Sequence, residues 1–412
     1  MGEKTVLKNN IVLVSEYMPH SHNVALGFMF SVGSRYEKEG ERGISHFCEH
    51  MLFKGTASRK RREIVSAFDN VGGLVNAFIE RDDVFMYSVL PTSNSNINTA
   101  LEILCDMAQN CTFPPDEIEK ERTVIQNEIY AVEDDIEESS IDCLADFIWH
   151  NQSLAQSITG SVDDVESITR EQLLDWYDSY FRKGPLTVFI SGNFNLDAVV
   201  SLLEKLPCRN NKIIEFKTDF YPGFQFKKSR FNQVQLYYMY PLKMPFDNRS
   251  YYTLMVLNAL FGDSMTSRLF EHLREDQGLC YSVYSFLSCY EDTAVWGATV
   301  SCDAKRTETI LECLKNEFNS LYSDGFTDEE ISLAKEHLCG EELMGCDDVE
   351  YVMKKLQRHY QMSLSLSDTN ETVGAIRSIG KNDIIEFVRK NFTDSKPAVF
   401  VYGKKTVREF NI

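Results

Sequence analysis

The sequence predicts an α+β protein that contains two copies of one unit. Three pairs of segments match each other at offsets of 211 to 213 residues. These pairs are 113–117 with 326–330, 168–181 with 379–392, and 187–192 with 398–403. Patterns typical of helices and patterns typical of strands both occur within each copy, as in α+β proteins. The 412 residues are also too many for one typical domain, so we expect two, 1–215 and 216–412.

The first half of the chain carries alternating predictions of strand and helix. In chain order these are strands at 11–14 and 24–32, a helix that ends near Gly55, a helix that begins at Ser58, a hairpin over 74–90 and a helix over 96–110. The strands are rich in β-branched and aromatic residues, and a glycine pair at 72–73 ends the second helix. The hairpin is interrupted at 80–83 by four charged residues.

A second set of signals completes this half. Pro114 and Pro115 favour the start of a long helix, and a helix at 163–181 and a strand at 186–191 follow. The polar segment 208–222 contains several turn-forming residues and is therefore predicted to link the two copies.

Composition and charge exclude some classes of function. Hydrophobic residues make up 43 % and charged residues 25 % of the chain, which is typical of folded globular proteins. The net charge is −20, and the basic footprint that nucleic acid needs does not appear. The one tight basic run, 59–62, is expected to be a solvated helix face. No run of 18 apolar residues is present, so we expect no membrane span. The 11 cysteines include no Cys-x-x-Cys pair, which favours reduced thiols and a cytoplasmic location.

The segment 46–50 (HFCEH) is the main candidate for chemistry. On a helix, His46 and His50 project from one face with Cβ atoms about 5–6 Å apart. Two imidazoles in this arrangement bind one zinc ion at about 2.0–2.1 Å each. Glu49 lies at the edge of the same face, where it reaches a zinc-bound water without being a ligand. The alternative is a chance match, because a pattern with three fixed positions recurs in unrelated proteins.

Two further carboxylates lie on the helix that begins near Pro115. Glu121 and Glu128 share an otherwise apolar stripe with Ile125 and Val132. At 1.5 Å per residue they are about 10 Å apart along the axis, so they cannot both ligate the same metal equally. One carboxylate would then be the third ligand, and the other would orient a ligand or the water. The alternative is a solvated acidic face on this helix.

The metal motif occurs in only one of the two copies. Its positional counterpart in the second half is 257–263 (LNALFGD), which lacks both histidines. We therefore expect the first half alone to hold metal.

Four segments together resemble the pitrilysin/insulinase family of inverted-zincin metallopeptidases, in particular its branch similar to the mitochondrial processing peptidase. They are 46–56 (HFCEHMLFKGT), 72–78 (GGLVNAF), 121–129 (ERTVIQNEI) and 267–285 (SRLFEHLREDQGLCYSVYS). The resemblance implies that each half is a two-layer unit, an antiparallel sheet with helices packed on one face. It further implies that two units form a bowl, and that two chains pair to enclose a chamber.

The resemblance also implies residue roles. His46, His50 and Glu128 would bind Zn²⁺, with Glu121 orienting a ligand and Glu49 acting as general base. Asn76 and Ala77 would lie on a strand edge that pairs with the backbone of a peptide substrate; the alternative for Asn76 is a turn residue after the glycine pair.

A second pair of residues is implied in the second half of the chain. Arg274 and Tyr281 would face the zinc from this opposite half. The alternative is that Arg274 pairs with Glu271 or Glu275 and that Tyr281 packs in the sheet.

The function implied is a zinc endopeptidase acting on peptides or unfolded polypeptide segments. One rival is a non-catalytic peptide-binding or scaffold subunit of the same fold, and another is a structural protein stabilised by metal. Inactive relatives lose parts of the motif, whereas this chain keeps both the HFCEH segment and the Arg274/Tyr281 segment. This favours an enzyme, and a homodimer over a pair of chains with divided roles.

Overall fold

The computed structural model describes residues 2–210, 212, 214–323, 325–404 and 410, and its strands form two sheets. The first sheet contains β1 (Glu3–Val6), β2 (Val12–Tyr17), β3 (Asn23–Phe30), β4 (Leu74–Ile79), β5 (Val84–Pro91) and β6 (Leu186–Gly192). The second contains β7 (Gly223–Lys228), β8 (Gln233–Leu242), β9 (Cys280–Cys289), β10 (Ala294–Asp303) and β11 (Ala398–Gly403).

Fourteen α-helices are found in the described part of the chain. Eight precede the second sheet: α1 (Ile44–Leu52), α2 (Arg61–Asp69), α3 (Asn94–Asn110), α4 (Pro115–Asp134), α5 (Ile136–Ile148), α6 (Val162–Ser167), α7 (Arg170–Trp176) and α8 (Leu196–Leu203). Six follow its first strands: α9 (Asn248–Phe261), α10 (Thr307–Ser323), α11 (Asp328–Gly345), α12 (Val349–Gln361), α13 (Thr369–Ser378) and α14 (Lys381–Phe392). None of these helices is both long enough and apolar enough to span a bilayer.

The two sheets have related topologies. Their strand orders are β1-β2-β6-β3-β5-β4 and β7-β11-β8-β10-β9. All neighbours are antiparallel except β2 with β6 and β7 with β11, which are parallel. Strands β6 and β11 are the segments that match each other in the sequence, so each copy uses the matched strand in the same way. The predicted α+β fold with two units is confirmed.

Some element boundaries differ from the sequence-based expectation. The helix expected over 163–181 is divided into α6, α7 and a π-helical turn (Tyr177–Arg182). The break occurs because Thr169 is extended and its side chain accepts a hydrogen bond from the backbone N–H of Gln172, which caps a new helix. The edge strand β1 was not predicted, because its four residues are all exposed and show no apolar alternation.

Each sheet packs its own helices on one face, and one helix from the other half covers the opposite face. Helix α12, from the second half, contacts β2, β3 and β6 and buries Met353 and Leu356 against Met29 and Phe85. Helix α5, from the first half, contacts β8 and β11 and buries Leu144 against Phe400. The exchange is reciprocal, so neither sheet is fully covered by residues from its own half.

A buried arginine joins the two halves at the end of β4. The Arg35 guanidinium donates to Asp82 Oδ1 (2.7 Å), Thr218 Oγ1 (3.0 Å) and Asp292 Oδ1 (2.9 Å). Asp82 follows β4 in the first half of the chain. Thr218 lies in the segment between β6 and β7, and Asp292 lies between β9 and β10 in the second half. The Arg35 side chain is 0 % exposed, so this cation is fully surrounded by protein.

Replacing Arg35 by Met is expected to destabilise the protein strongly. The change leaves two carboxylates partly buried without their cation, and breaking a buried pair costs about 3–5 kcal/mol. Chemical denaturation measures this loss as a shift of the unfolding midpoint. Arg230→Met is the matched control, because Arg230 also bridges the halves, to Asp134, but both side chains are exposed. A similar small shift in both variants would contradict a special role for Arg35.

Candidate metal centre

Helix α1 carries the HFCEH segment, and its start is fixed by local geometry. The helix begins after Gly43, whose φ of 80° is in the left-handed region. A Cβ at this position would lie 2.5 Å from the carbonyl oxygen of Thr159, so glycine is required. The backbone N–H groups of Gly43 and Ser45 donate to the Glu37 carboxylate at 2.8 and 2.9 Å. A carboxylate at this end of the helix satisfies N–H groups that have no partner within it.

The two histidines of α1 face a carboxylate on α4. The rings of His46 and His50 are 4.7 Å apart between centroids and nearly perpendicular, at 82°. Glu128 Oε2 lies 3.6 Å from His46 Nε2 and 3.3 Å from His50 Nε2. Ligand atoms on one tetrahedral zinc, with bonds of about 2.0–2.1 Å, are separated by about 3.3 Å. The three side chains therefore fit a single metal ion.

The charge state of His46 is consistent with metal binding. Burial, together with the nearby His50, lowers the pKa of His46 to about 3. A neutral imidazole is the form that coordinates metals. Nδ1 of His46 is buried and has no hydrogen-bond partner among the described residues.

Glu121 contacts the opposite side of the His50 ring. Its Oε2 lies 3.1 Å from His50 Nδ1, and its Oε1 accepts a hydrogen bond from Lys54 Nζ at 2.5 Å. Although burial opposes ionisation, the hydrogen bonds from Lys54 and His50 hold the pKa of Glu121 below its usual value. Glu121 is 7 % exposed, which disagrees with a solvated acidic face at this position. This geometry suits the predicted division of roles, with Glu128 as ligand and Glu121 as orienting group.

Glu49 is the second carboxylate near the histidine pair. Suitable atoms of His46, Glu49 and His50 all lie within 4.8 Å of one another, so Glu49 is itself a possible ligand. However, Glu49 Oε2 is 4.0 Å from His50 Nε2, whereas Glu128 lies closer to it and also faces His46. Glu128 is thus the carboxylate with an oxygen within 3.6 Å of Nε2 of both histidines. Burial raises the pKa of Glu49 to about 7, as suits a group that exchanges protons near neutral pH.

The predicted substrate strand is an edge strand beside the metal helix. Strand β4 pairs only with β5 in the first sheet, and it packs against α1. Asn76 and Ala77 lie within β4, so Asn76 is not the turn residue considered as the alternative. The Ala77 N–H donates to the Asn76 side-chain oxygen at 2.9 Å. The other side of β4 has no neighbouring strand among the described residues.

Arg274 and Tyr281 are not joined to this cluster. Arg274 lies in a π-helical turn, with its guanidinium 4.6 Å from the Phe270 ring centroid and 3.9 Å from Glu275. Tyr281 is 79 % exposed, so it does not pack in the sheet. Within the described chain, neither residue has a hydrogen bond or ion pair with His46, Glu49, His50 or Glu128.

Tyr281 occupies an irregular position in β9. Ser282 is opposite Ser301 and Cys280 is opposite Cys302, so Tyr281 is the extra residue of a β-bulge. Bulges change the direction of a side chain and are frequent near active sites.

Two contacts were not identified from the sequence: that of Lys54 with Glu121 and that of Glu37 with the start of α1. Lys54 is four residues after His50 and falls within the helix that was predicted to end near Gly55, so this spacing was an available signal. Glu37 lies before the helix in an irregular segment, and no pattern in the sequence predicts its contact with the helix start.

Comparisons with known proteins agree on one family. The family model described as Insulinase (Peptidase family M16) matches residues 12–162, and the model described as Peptidase M16 inactive domain matches 167–338. A protein of Rickettsia felis named an uncharacterized zinc protease is 31 % identical, over 98 % of this chain and 98 % of its own length. YmxG of Bacillus subtilis, also named an uncharacterized zinc protease, is 28 % identical over 96 % of each chain.

Solved structures agree in fold. A crystal structure of a protease from Helicobacter pylori matches with a TM-score of 0.89 at 18 % identity, over 98 % of this chain and 99 % of that chain. At this identity the likeness supports the fold alone.

Proposed function

Since the chain belongs to the insulinase (M16) family of peptidases, we propose that it is a zinc-dependent endopeptidase. Its substrates would be peptides or unfolded polypeptide segments. The observation that carries the proposal is the convergence of His46, His50 and Glu128 at distances suited to one metal ion, with Glu49 beside them. His46, His50 and Glu128 would hold the ion, and three protein ligands are the number typical of catalytic rather than structural zinc sites.

The proposed chemistry divides between the metal and the side chains. Zinc, when bound by His46, His50 and Glu128, supplies Lewis acidity that activates water and polarises the scissile carbonyl. Glu49 accepts the proton of the attacking water and later delivers it to the leaving amine. Its burial keeps bulk water away from the carboxylate and raises its pKa to about 7, which makes it a stronger base toward the water proton.

The substrate would be held by the free edge of β4. A peptide adding to this edge forms backbone hydrogen bonds as an extra strand. To use the Ala77 N–H as a donor, the substrate displaces the Asn76 side-chain oxygen that now accepts from it. Because β4 packs against α1, this edge holds the peptide next to the metal ligands.

The direct test is digestion of a mixed peptide library by the purified protein. Cleavage should occur with the metal present, stop after treatment with a chelator, and return when zinc is added. A non-catalytic scaffold subunit would bind peptides without cleaving them, and a metal-stabilised structural protein would lose its fold, rather than an activity, with the chelator.

We further propose that the protein forms a homodimer and is located in the cytoplasm. Light scattering coupled to size-exclusion chromatography measures the oligomeric state.

Tyr281→Phe is expected to lower peptide cleavage by about 10- to 1,000-fold while zinc content and fold are unchanged. The proposed role of Tyr281 is to donate a hydrogen bond from its hydroxyl to the substrate carbonyl as charge develops there. Loss of one such donor lowers the catalytic rate by as much as about 10²–10³-fold. The high exposure of the side chain makes a stability effect small. Tyr322→Phe is a control at another partly exposed tyrosine, 42 % exposed on α10.

Arg274→Ala should show a similar loss, because its guanidinium would contact the same substrate region. Full activity in both Tyr281→Phe and Arg274→Ala would show that the second half of the chain has a structural role only.

A further inference from the structure

Lys54 and Glu121 form a charged chain behind the metal ligand His50. Lys54 lies two residues beyond the last residue of α1, and its backbone N–H still bonds to the Met51 carbonyl at 3.1 Å. Its Nζ donates to one oxygen of Glu121, and the other oxygen contacts His50 Nδ1. The Lys54 side chain is 13 % exposed and that of Glu121 is 9 % exposed. The chain Lys54–Glu121–His50 is thus largely shielded from water.

The Lys54 contact limits how Glu121 is able to move. A carboxylate bound through only one oxygen is free to rotate away from the imidazole, whereas contacts at both oxygens fix its plane. A carboxylate that holds Nδ1 sets both the orientation and the basicity of the metal-binding imidazole. Because His50 Nε2 faces Glu128, a rotation of the His50 ring would separate two ligand atoms that now converge.

Lys54 also contributes positive charge to the centre. Glu49, Glu121 and Glu128 carry three negative charges when ionised, and a divalent metal compensates two of them. Lys54 supplies the remaining positive charge. Removing Lys54 would leave more uncompensated negative charge in the metal-free site than in the loaded site, so charge alone would tighten zinc binding. Weaker binding in its absence would therefore reflect the lost orientation of Glu121 and not the lost charge.

We propose that Lys54 is a positioning residue of the metal site: through Glu121, it holds His50 in the orientation that binds zinc. The proposal rests on the zinc site described above. A purely structural alternative is that Lys54 only stabilises the C-terminal end of α1, where cations are generally favourable. That alternative predicts a change in stability but none in metal affinity.

The test is the zinc dissociation constant of purified full-length variants, measured by competition with a chromophoric chelator. Lys54→Met should weaken zinc binding by about 10- to 100-fold, the range found when a group that orients a metal ligand is removed. Lys54→Arg keeps the charge and should restore affinity to within a few-fold of wild type. Lys120→Met is the matched control, because Lys120 is next to Glu121 on α4 but pairs with Glu117 at the exposed surface. It should leave the zinc affinity unchanged.

A double variant tests whether Lys54 acts through Glu121. If it does, Lys54→Met combined with Glu121→Gln should bind zinc no more weakly than Glu121→Gln alone. Additive losses would show that Lys54 acts independently of Glu121, and tighter zinc binding in Lys54→Met would show that it merely repels the metal. Either result, or unchanged affinity in Lys54→Met, overturns the proposal.

Two further measurements distinguish failure of this proposal from failure of the proposed function and from misfolding of a variant. Absence of zinc binding by the wild-type protein would instead refute the proposed function. Circular dichroism of the metal-free proteins checks folding, and Lys54→Gln replaces Lys54→Met in the same assay if the Met variant does not fold.

Discussion

Glu49→Gln is expected to retain zinc and to lose peptide hydrolysis by at least about 10²–10⁴-fold, the contribution typical of a general base. The amide has almost the same shape as the carboxylate but cannot accept the proton of the attacking water. Zinc should remain because Glu128, rather than Glu49, contacts both histidines. The measurements are the rate of cleavage of a peptide identified in the library and the zinc content of the same sample.

The control for this variant makes the same chemical change at an exposed site. Glu119→Gln lies on α4, where the Glu119 side chain is 70 % exposed and pairs with Arg122. It should cleave peptide at the wild-type rate. Near-normal activity in Glu49→Gln would place the base elsewhere, and loss of zinc from this variant would make Glu49 a ligand.

His50→Ala should remove zinc and, with it, all zinc-dependent cleavage. His50 contacts Glu128 through Nε2 and Glu121 through Nδ1. Its removal leaves only two of the three proposed ligands. Metal analysis of the purified variant is the measurement, and full occupancy would refute the assignment. His150→Ala changes an exposed histidine (60 %) beside Asp146 and should keep its zinc.

The part of this centre that periodicity predicted is the part determined by local geometry. The spacing of His46 and His50 places them on one face of any helix, whatever surrounds it. The predicted edge position of Asn76 and Ala77 came from a family resemblance, and the structure places both in an edge strand.

The choice between Glu121 and Glu128 illustrates what local geometry cannot decide. Both lie on the same stripe of α4, and their roles depend on how α4 is positioned along α1. That placement results from packing between segments about 70 residues apart in sequence, so periodicity alone left both assignments open. The contact of Lys54 with Glu121 was not predicted for the same reason.

The helix exchange between the halves was also beyond the reach of the sequence. Val349, Met353 and Leu356 recur at helical spacing, which indicates that α12 buries one face. The pattern does not indicate which sheet the face contacts. The repeat in the sequence suggests two self-contained units, whereas each sheet in the structure needs a helix from the other half.

This exchange has a consequence for synthesis of the protein on the ribosome. The last strand of the first sheet ends at Gly192, but α12 ends at Gln361, 169 residues later. At about 5–20 residues per second, the ribosome needs roughly 8–34 s to make this segment. During that interval Val14, Met29, Phe85 and Phe189 have no partner helix. A nascent chain with this exposed apolar face is a substrate for chaperones and is prone to aggregation, and it gains protection only when the second half emerges.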